Sequence, residues 1–350
     1  MRKFDYSFLK NARLPVAILD YANGIAEIKA LQDARKKSYK GIFSGLEAVA
    51  KVQSVKGSNA IEGIITTDKR IEEIVNKSSA PLNHNEAEIA GYRDALNLVH
   101  GGHETIDARE ADILHLHNIL LSYTNYSEKG QYKQSDNVIL EVDALGNRRV
   151  RFSPTSAFET PKAMEQAVFA YLDARNNSSI NQLLLIPCFI LDFLCIHPFA
   201  DGNGRISRLL SLLLLYKNGY DAGKYISFEE QINKCKDSYY EALKQSSIGW
   251  DKGENDYIPF IQSFVITLML CYKELDKRFA LFNEKKANKK QRIEATVLNS
   301  IMPISKSEIA YILPDISATT IEAVLSAMVK SGAIKKIGNN RSARYLRDKG

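Results

Sequence analysis

The stretch "HPFADGNGRISRLL", residues 197–210, decides the fold. A histidine, an aspartate, two glycines around an asparagine and two arginines sit within twelve residues, between strongly apolar runs at 183–196 and 209–216. His197 precedes Pro198, and a residue before proline is biased away from helix, so the first run reads as a buried helix that ends there. Gly202 and Gly204 can adopt positive φ and allow close backbone approach. A second helix then starts near Asn203. Backbone N–H groups at a glycine-rich helix start form a nest for an anion, reinforced by the helix dipole. Arg205 and Arg208, three apart, share a helix face and suit a di- or triphosphate. Asp201 supplies one hard oxygen ligand beside those phosphates, which suits Mg²⁺. His197, at the mouth of the loop, can take a proton from an attacking hydroxyl. The residues alone therefore point to nucleotide transfer onto a hydroxyl; the plain alternative is a helix–loop–helix turn with capping glycines. The spacing fits neither GxxxxGK[ST] nor GxGxxG, and no strand precedes it.

Wider features bound this reading. A chain of 350 residues suggests one large domain or two to three smaller ones. A hydrophobic content of 45% supports a substantial core, and a net charge of +6 permits phosphate-bearing or nucleic-acid ligands without requiring them. The N-terminus, MRKFDYSFLKNARLP, has no apolar run, and neither 183–196 nor 209–216 reaches the roughly 20 residues of a membrane span. The expectation is a cytoplasmic chain with no membrane contact. Cys188, Cys195, Cys235 and Cys271 form no CxxC pair; they read as reduced core thiols, not a zinc site.

Helical signals dominate. Residues 26–56 form a long Lys/Glu/Ala-rich stretch without proline. In 85–100, Ile89, Tyr92, Ala95, Leu96 and Val99 recur at helical intervals. Asp107 reads as the cap of a helix over 108–122 that buries Ile113, Leu116 and Leu120. Thr160-Pro161 reads as a cap and first turn for 160–175. The interruption is 137–152, NVILEVDALGNRRVRF, whose two β-prone runs flank "LGN" and predict a β-hairpin. Residues 276–292 read as a polar, lysine-rich linker helix. Beyond it, 293–350 predicts a helix, a turn at Pro314-Asp315, a second helix capped near Ser317, a stop at Gly332 and a basic ribbon: a helix-turn-helix with a wing.

"HPFADGNGRISR" resembles the Fic-domain signature HxF-x-[DE]-GNG-R-x-x-R at every defined position. The resemblance runs over roughly 108–265. "LHNILLSYTNYSEKGQYK" is similar to the helix and GxYR-type turn ahead of the family's flap, with Lys133 at the usual arginine, and "CKDSYYEALKQSS" is similar to the helix after the motif. The resemblance implies an AMP transferase acting from Mg-ATP on a Tyr, Thr or Ser hydroxyl of a target protein. It implies His197 as general base and Phe199 as a buried anchor. Asp201 would position Mg²⁺; Gly202, Asn203 and Gly204 would form the nest; Arg205 and Arg208 would hold the β and γ phosphates. The hairpin becomes a flap that pairs with a target strand, and Tyr240 a candidate for the nucleoside pocket.

A second stretch, "SNAIEG" at 58–63, would ordinarily read as a serine cap with glutamate in the first turn of a helix. Beside the longer motif it resembles the family's inhibitory pattern [ST]xxxE[GN], filled by Ser58, Glu62 and Gly63. Glu62 would then pair with Arg208 and occupy the charge meant for the γ-phosphate. The whole reads as a mainly α chain: an N-terminal regulatory region (1–107), a Fic-type helical core with a β-hairpin flap (108–275), a basic linker helix (276–292) and a C-terminal winged helix-turn-helix domain (293–350). Expected partners are a target protein, the chain itself as acceptor, a second copy in a homodimer, and DNA or protein at 293–350. A different class of function is a winged-helix DNA-binding regulator whose Fic fold senses nucleotide. Transfer of UMP, phosphate or phosphocholine, and removal of AMP, stay open.

Overall fold

The computed structural model describes residues 2–142, 148–283, 288–298, 300, 303–313, 316–338 and 343–347. Chain order begins with α1 (Val16–Ser38), α2 (Lys40–Ile61), α3 (Asp68–Lys77), α4 (His84–Gly102) and α5 (Glu110–Leu120). An antiparallel hairpin follows, β1 (Ile139–Val142) and β2 (Arg148–Phe152), then α6 (Thr160–Arg175), α7 (Gln182–Ile196) and α8 (Asn203–Lys217). Next come α9 (Phe228–Lys234), α10 (Lys236–Ser247) and α11 (Ile258–Asn283). The C-terminal part is α12 (Lys289–Leu298), β3 (Ile304–Ser305), α13 (Lys306–Ile312), α14 (Ala318–Lys330), β4 (Ile334–Ile337) and β5 (Arg344–Arg347), with sheet order β3-β5-β4.

The two apolar runs become the centre. Every residue of α7 from Leu183 to Ile196 is buried, and α8 buries nearly its whole length. Such all-round apolarity is what a helix surrounded on every side requires. α4, α5, α6, α10 and α11 supply the surround. α7 also buries Asp192, whose carboxylate accepts from the Tyr6 hydroxyl at 2.7 Å, the Trp250 indole at 2.7 Å and the Tyr257 hydroxyl at 2.9 Å. These bonds fasten the N-terminal segment over the core and satisfy a charge that burial would otherwise make costly.

A second hydrophobic cluster, including Ile293, Val297, Ile309, Leu325 and Tyr345, holds the C-terminal unit together. That unit lies against α2 through α13. A side chain at Gly41 would have its Cβ in collision with the Tyr311 carbonyl oxygen, and one at Gly45 would touch Ile312 at 3.7 Å.

Several expectations are corrected. The stretch 26–56 is not one helix: it breaks at Tyr39 between α1 and α2. Asp107 is not the cap of α5, whose N-cap is Arg109; its carboxylate instead binds Arg175 at 2.7 and 2.9 Å. Thr160 lies inside α6, one residue after the N-cap Glu159. The linker expected from 276 begins inside α11, where Phe279 is buried and Arg35 lies over its ring. Three cysteines are buried, but Cys235 is exposed. The helical segment Ile258–Ala280 is long and apolar enough to cross a membrane by length and composition; in this fold 56% of its most apolar window is buried. The hairpin turn "LGN", the Pro314-Asp315 turn and residues 339–342 of the basic ribbon lie outside the described residues.

Candidate functional site

The loop between α7 and α8 is built by its own side chains. His197 ends α7 in the left-handed region, φ 52°, and its N–H still donates to the Phe193 carbonyl at 2.9 Å. Asn203 folds back on Phe199: its side-chain carbonyl accepts from the Phe199 N–H at 2.9 Å and its amide donates to the Phe199 carbonyl at 2.7 Å. The Phe199 ring is fully buried and stacks on His117, centroids 3.8 Å apart. His117 Nδ1 accepts the Gly130 N–H at 3.0 Å, so its hydrogen is on Nε2, which donates to the Asp201 carbonyl at 3.1 Å. Burial pushes the His117 imidazole down to about 4, so this bridge stays neutral. Buried Lys133 adds a third brace, its N–H donating to the Pro198 carbonyl at 2.9 Å and its ammonium reaching Asn137 at 2.8 Å.

His197 itself is oriented for base chemistry. Its Nδ1 lies 3.2 Å from the Leu194 carbonyl. A carbonyl only accepts, so the hydrogen is on Nδ1 and Nε2 keeps its lone pair. Burial, aided by the charges of Lys133 and Arg151, pushes this imidazole down to about 4.

The start of α8 carries a carboxylate. Gly202 sits at φ 83°, its N–H accepted by Asp201 Oδ1 at 2.6 Å. A Cβ on Gly204 would collide with Glu62 Oε1, so glycine is what lets Glu62 reach the helix start. Arg208, buried, donates to Glu62 Oε1 at 2.8 Å, to the Ser58 hydroxyl at 2.9 Å and to the Ser58 carbonyl at 3.0 Å. Burial would raise the Glu62 carboxyl, but Arg208, Arg205 and Lys236 together hold it below the usual carboxylate range.

"SNAIEG" proves to be a helix end rather than a helix start. Glu62 is the C-cap of α2, and Gly63 follows at φ 78°. The Gly63 N–H bonds the Ala60 carbonyl at 3.1 Å and the Ile64 N–H bonds the Asn59 carbonyl at 3.0 Å, a Schellman ending that favours glycine at 63. A carboxylate at the negative end of a helix dipole is locally unfavourable. Its stabilisation comes from Arg208 and the opposing N-terminus of α8.

Arg205 departs from the expected arrangement. It is buried, with Glu88 on one guanidinium nitrogen and Asp201 Oδ2 at 3.1 Å on another. The two arginines share a helix but point at different partners, so Arg205 braces the loop from α4. Asp201 is half-exposed, leaving its carboxylate open on the solvent side. Its single hard donor set fits an ion that brings its own phosphate and water ligands. Among the described residues no cluster of three or more His, Cys, Asp or Glu offers a resident metal cage.

A cavity of about 190 Å³ opens over this machinery, walled by Glu62, His197, Gly204, Arg208, Tyr239 and Tyr240 and closed by Ile139, Arg151 and Phe152 of the hairpin. It is smaller than the roughly 300–1,000 Å³ of most ligand sites; Glu62 and the hairpin fill part of it. Two larger hollows, about 650 and 790 Å³, lie away from His197. Chemistry favours the small one, because it alone of the three contains a base beside an anion-binding helix start. Tyr239 and Tyr240 both line it, and Tyr239 also packs, buried, against Phe260. Arg151, Phe152, Leu243, Ser247 and the brace His117 were not singled out from sequence. The register shift that leaves Arg151 unpaired between Val150 and Phe152 gives no signal in the sequence.

Residues 106–215 match the model of the Fic/DOC family. They form a Fic/DOC domain. The chain is 30% identical over 227 residues to "Protein adenylyltransferase Fic" of Nematostella vectensis, covering 61% of this chain and 46% of that one. It is 27% identical over 242 residues to the protein of the same name in Drosophila melanogaster, covering 67% and 41%. It thus spans under half the length of these curated relatives. A Fic family protein from Desulfovibrio desulfuricans G20 superposes with a TM-score of 0.62 at 20% identity, covering 97% of this chain and 98% of that one. A Fic domain-containing signalling protein from Bacteroides thetaiotaomicron gives 0.54 at 21% identity, over 75% and 98%. At these identities the two structures speak for the fold alone.

Proposed function

We propose that the chain transfers AMP from Mg-ATP to a Tyr, Thr or Ser hydroxyl of a protein, itself included, and that Glu62 holds the reaction off. The observation that carries this reading is the pairing of a free His197 Nε2 with a helix start whose anion position is taken by Glu62 on Arg208. His197 Nε2 accepts the proton of the acceptor hydroxyl as that oxygen bonds the α-phosphorus. The bond from the α-phosphorus to the bridging oxygen breaks, and diphosphate leaves with its charge facing the α8 N-terminus and Arg208. Asp201 would share the Mg²⁺ that arrives with the nucleotide, which supplies neutralisation of phosphate charge. Arg205, through Asp201 and Glu88, holds that carboxylate in place. The names of the relatives support AMP as the transferred group. The deciding measurement uses Glu62→Gly with ATP labelled in the α or the γ position. Label should enter protein from the α position alone; label from the γ position would make the chain a phosphotransferase.

The His197 environment sets a pH dependence. An imidazole held at about 4 is neutral, and competent as a base, at every pH above that value. Transfer should therefore be insensitive to this group from pH 8 down to about 5 and fall as pH drops through about 4, whereas an unshifted imidazole would lose activity near 6.5. The same depressed imidazole contributes stability that is fully present above 6.5 and is lost between 6.5 and about 4. A pH–rate profile with its acid limb near 6.5 would contradict the placement of His197.

For 293–350 we propose a winged-helix docking module. Its support is the helix pair α13 and α14, the Ser317 side chain accepting the Thr320 N–H, and a hairpin presenting Lys335, Lys336 and Arg347. Arg344 on that ribbon is engaged with Glu308 and the Pro303 carbonyl.

A further inference from the structure

We propose that Arg151, on flap strand β2, is a ligand of the reacting α-phosphate. The assignment rests on the nucleotide-transfer reading and adds to it a cation from outside the 197–208 loop. On the paired strands, Val150 and its partner Leu140 are both largely exposed, which puts them on the outer face of the hairpin. The register shifts at the next residue: Val150 pairs with Leu140 and Phe152 with Ile139, so Arg151 is the extra residue of a bulge, and it lines the cavity that contains His197. Its Nε is buried there without a hydrogen-bond partner, and among the described residues Arg151 has no ion pair.

The charge count around the cavity says what is missing. Its walls carry two arginines, Arg151 and Arg208, but one carboxylate, Glu62, and that carboxylate is bound to Arg208. A guanidinium with a buried, unbonded N–H is costly, and buried cations are normally matched by an anion. The cavity is thus built for one more anionic group than it holds.

Position selects which one. The hydroxyl proton goes to His197 Nε2, so the phosphorus under attack must sit beside His197. The β and γ phosphates extend toward Arg208, which lies one helical turn into α8. Arg151 enters from the hairpin side, and its charge is felt by His197, Tyr240 and Cys195. A guanidinium there donates to the non-bridging α-oxygens, whose negative charge it stabilises as the hydroxyl oxygen attacks.

The test compares Arg151→Gln and Arg151→Lys in the Glu62→Gly background, with Arg149→Gln as a same-strand control. Binding of AMP and of adenosine, which differ only by the α-phosphate, is measured by calorimetry. Arg151→Gln should lower the preference for AMP over adenosine by about ten-fold or more, with adenosine affinity held within about two-fold. Arg151→Lys should recover part of the preference, and Arg149→Gln should leave it unchanged. Unaltered adenosine binding also shows that the pocket is still folded; if the glutamine variant fails to fold, the lysine variant carries the comparison through a partial loss. An AMP preference unchanged within about two-fold in Arg151→Gln, or in a lysine variant that alone is folded, overturns the assignment. The transfer reading is separable: label transfer absent from Glu62→Gly, with AMP binding still dependent on Arg151, defeats the proposed activity and keeps the phosphate ligand. Failure of the parent to bind AMP defeats both.

Discussion

Glu62→Gly should raise AMP transfer by roughly ten-fold or more, seen first as self-modification. The expectation follows from one charge-assisted contact, worth about 1.5–3 kcal/mol, that the substitution removes from Arg208. Two of the three bonds to Arg208 come from Ser58 and survive, so the guanidinium stays aimed at the helix start. Glycine is tolerated at the end of α2, and the space over Gly204 that Glu62 Oε1 fills becomes available to a phosphate oxygen. ATP binding should tighten, and ADP, with no γ-phosphate to compete for Arg208, should respond less. Arg208→Ala should not mimic the activation, because it deletes the phosphate ligand together with the inhibitory pair. The double variant should behave as Arg208→Ala alone. Were Glu62 only a helix-end residue, its removal from the negative end of the α2 dipole would slightly stabilise the fold and leave the rate unchanged. Transfer rates at matched folded fraction and saturating Mg-ATP distinguish these outcomes; equal rates would remove Glu62 from regulation.

His197→Ala, measured in the activated Glu62→Gly background, should reduce transfer by about 10²–10⁴ while nucleotide affinity holds. The base is lost, but the loop is closed by other groups: the Asn203 amide on Phe199, the His117 ring beneath Phe199, and Lys133 on the Pro198 carbonyl. The substituted residue inherits the left-handed backbone that histidine already adopts at this position. Retention of more than half the parent rate would exclude His197 as the base.

How much of this was legible in the sequence depended on how far apart the interacting residues lie. The helix ends at 196 and 203 were readable because Pro198 and the glycines act on their immediate neighbours. The loop that gathers His197, Gly202, Gly204 and Asp201 was readable because the motif is contiguous. The pairing of Arg205 with Glu88 was not readable because the partner lies 117 positions away on α4. "SNAIEG" suits either end of a helix by local chemistry; only the length of α2 before it, with Gly57 packed close to α9, decides that it is the last turn. That α11 runs past 276 was not readable because lysine content marks solvent exposure on one helical face while Phe279 on the other is buried. Arg151 stayed hidden because it is the extra residue where the strand register shifts, and strand alternation cannot place such a residue.

The two close approaches along α2 belong to a single rod. Gly41 and Gly45 lie against α13 near its start, and Ser58 and Glu62 grip Arg208 at its finish. An α-helix of this kind rises about 1.5 Å per residue and is braced by its own hydrogen-bond ladder, so it resists compression along its axis. Displacement of one end is therefore transmitted to the other with little loss. The C-terminal unit and the 197–208 loop face each other across a strut some 25 Å long, estimated from that rise, and a sideways push on α13 would arrive at Arg208 as a change in reach.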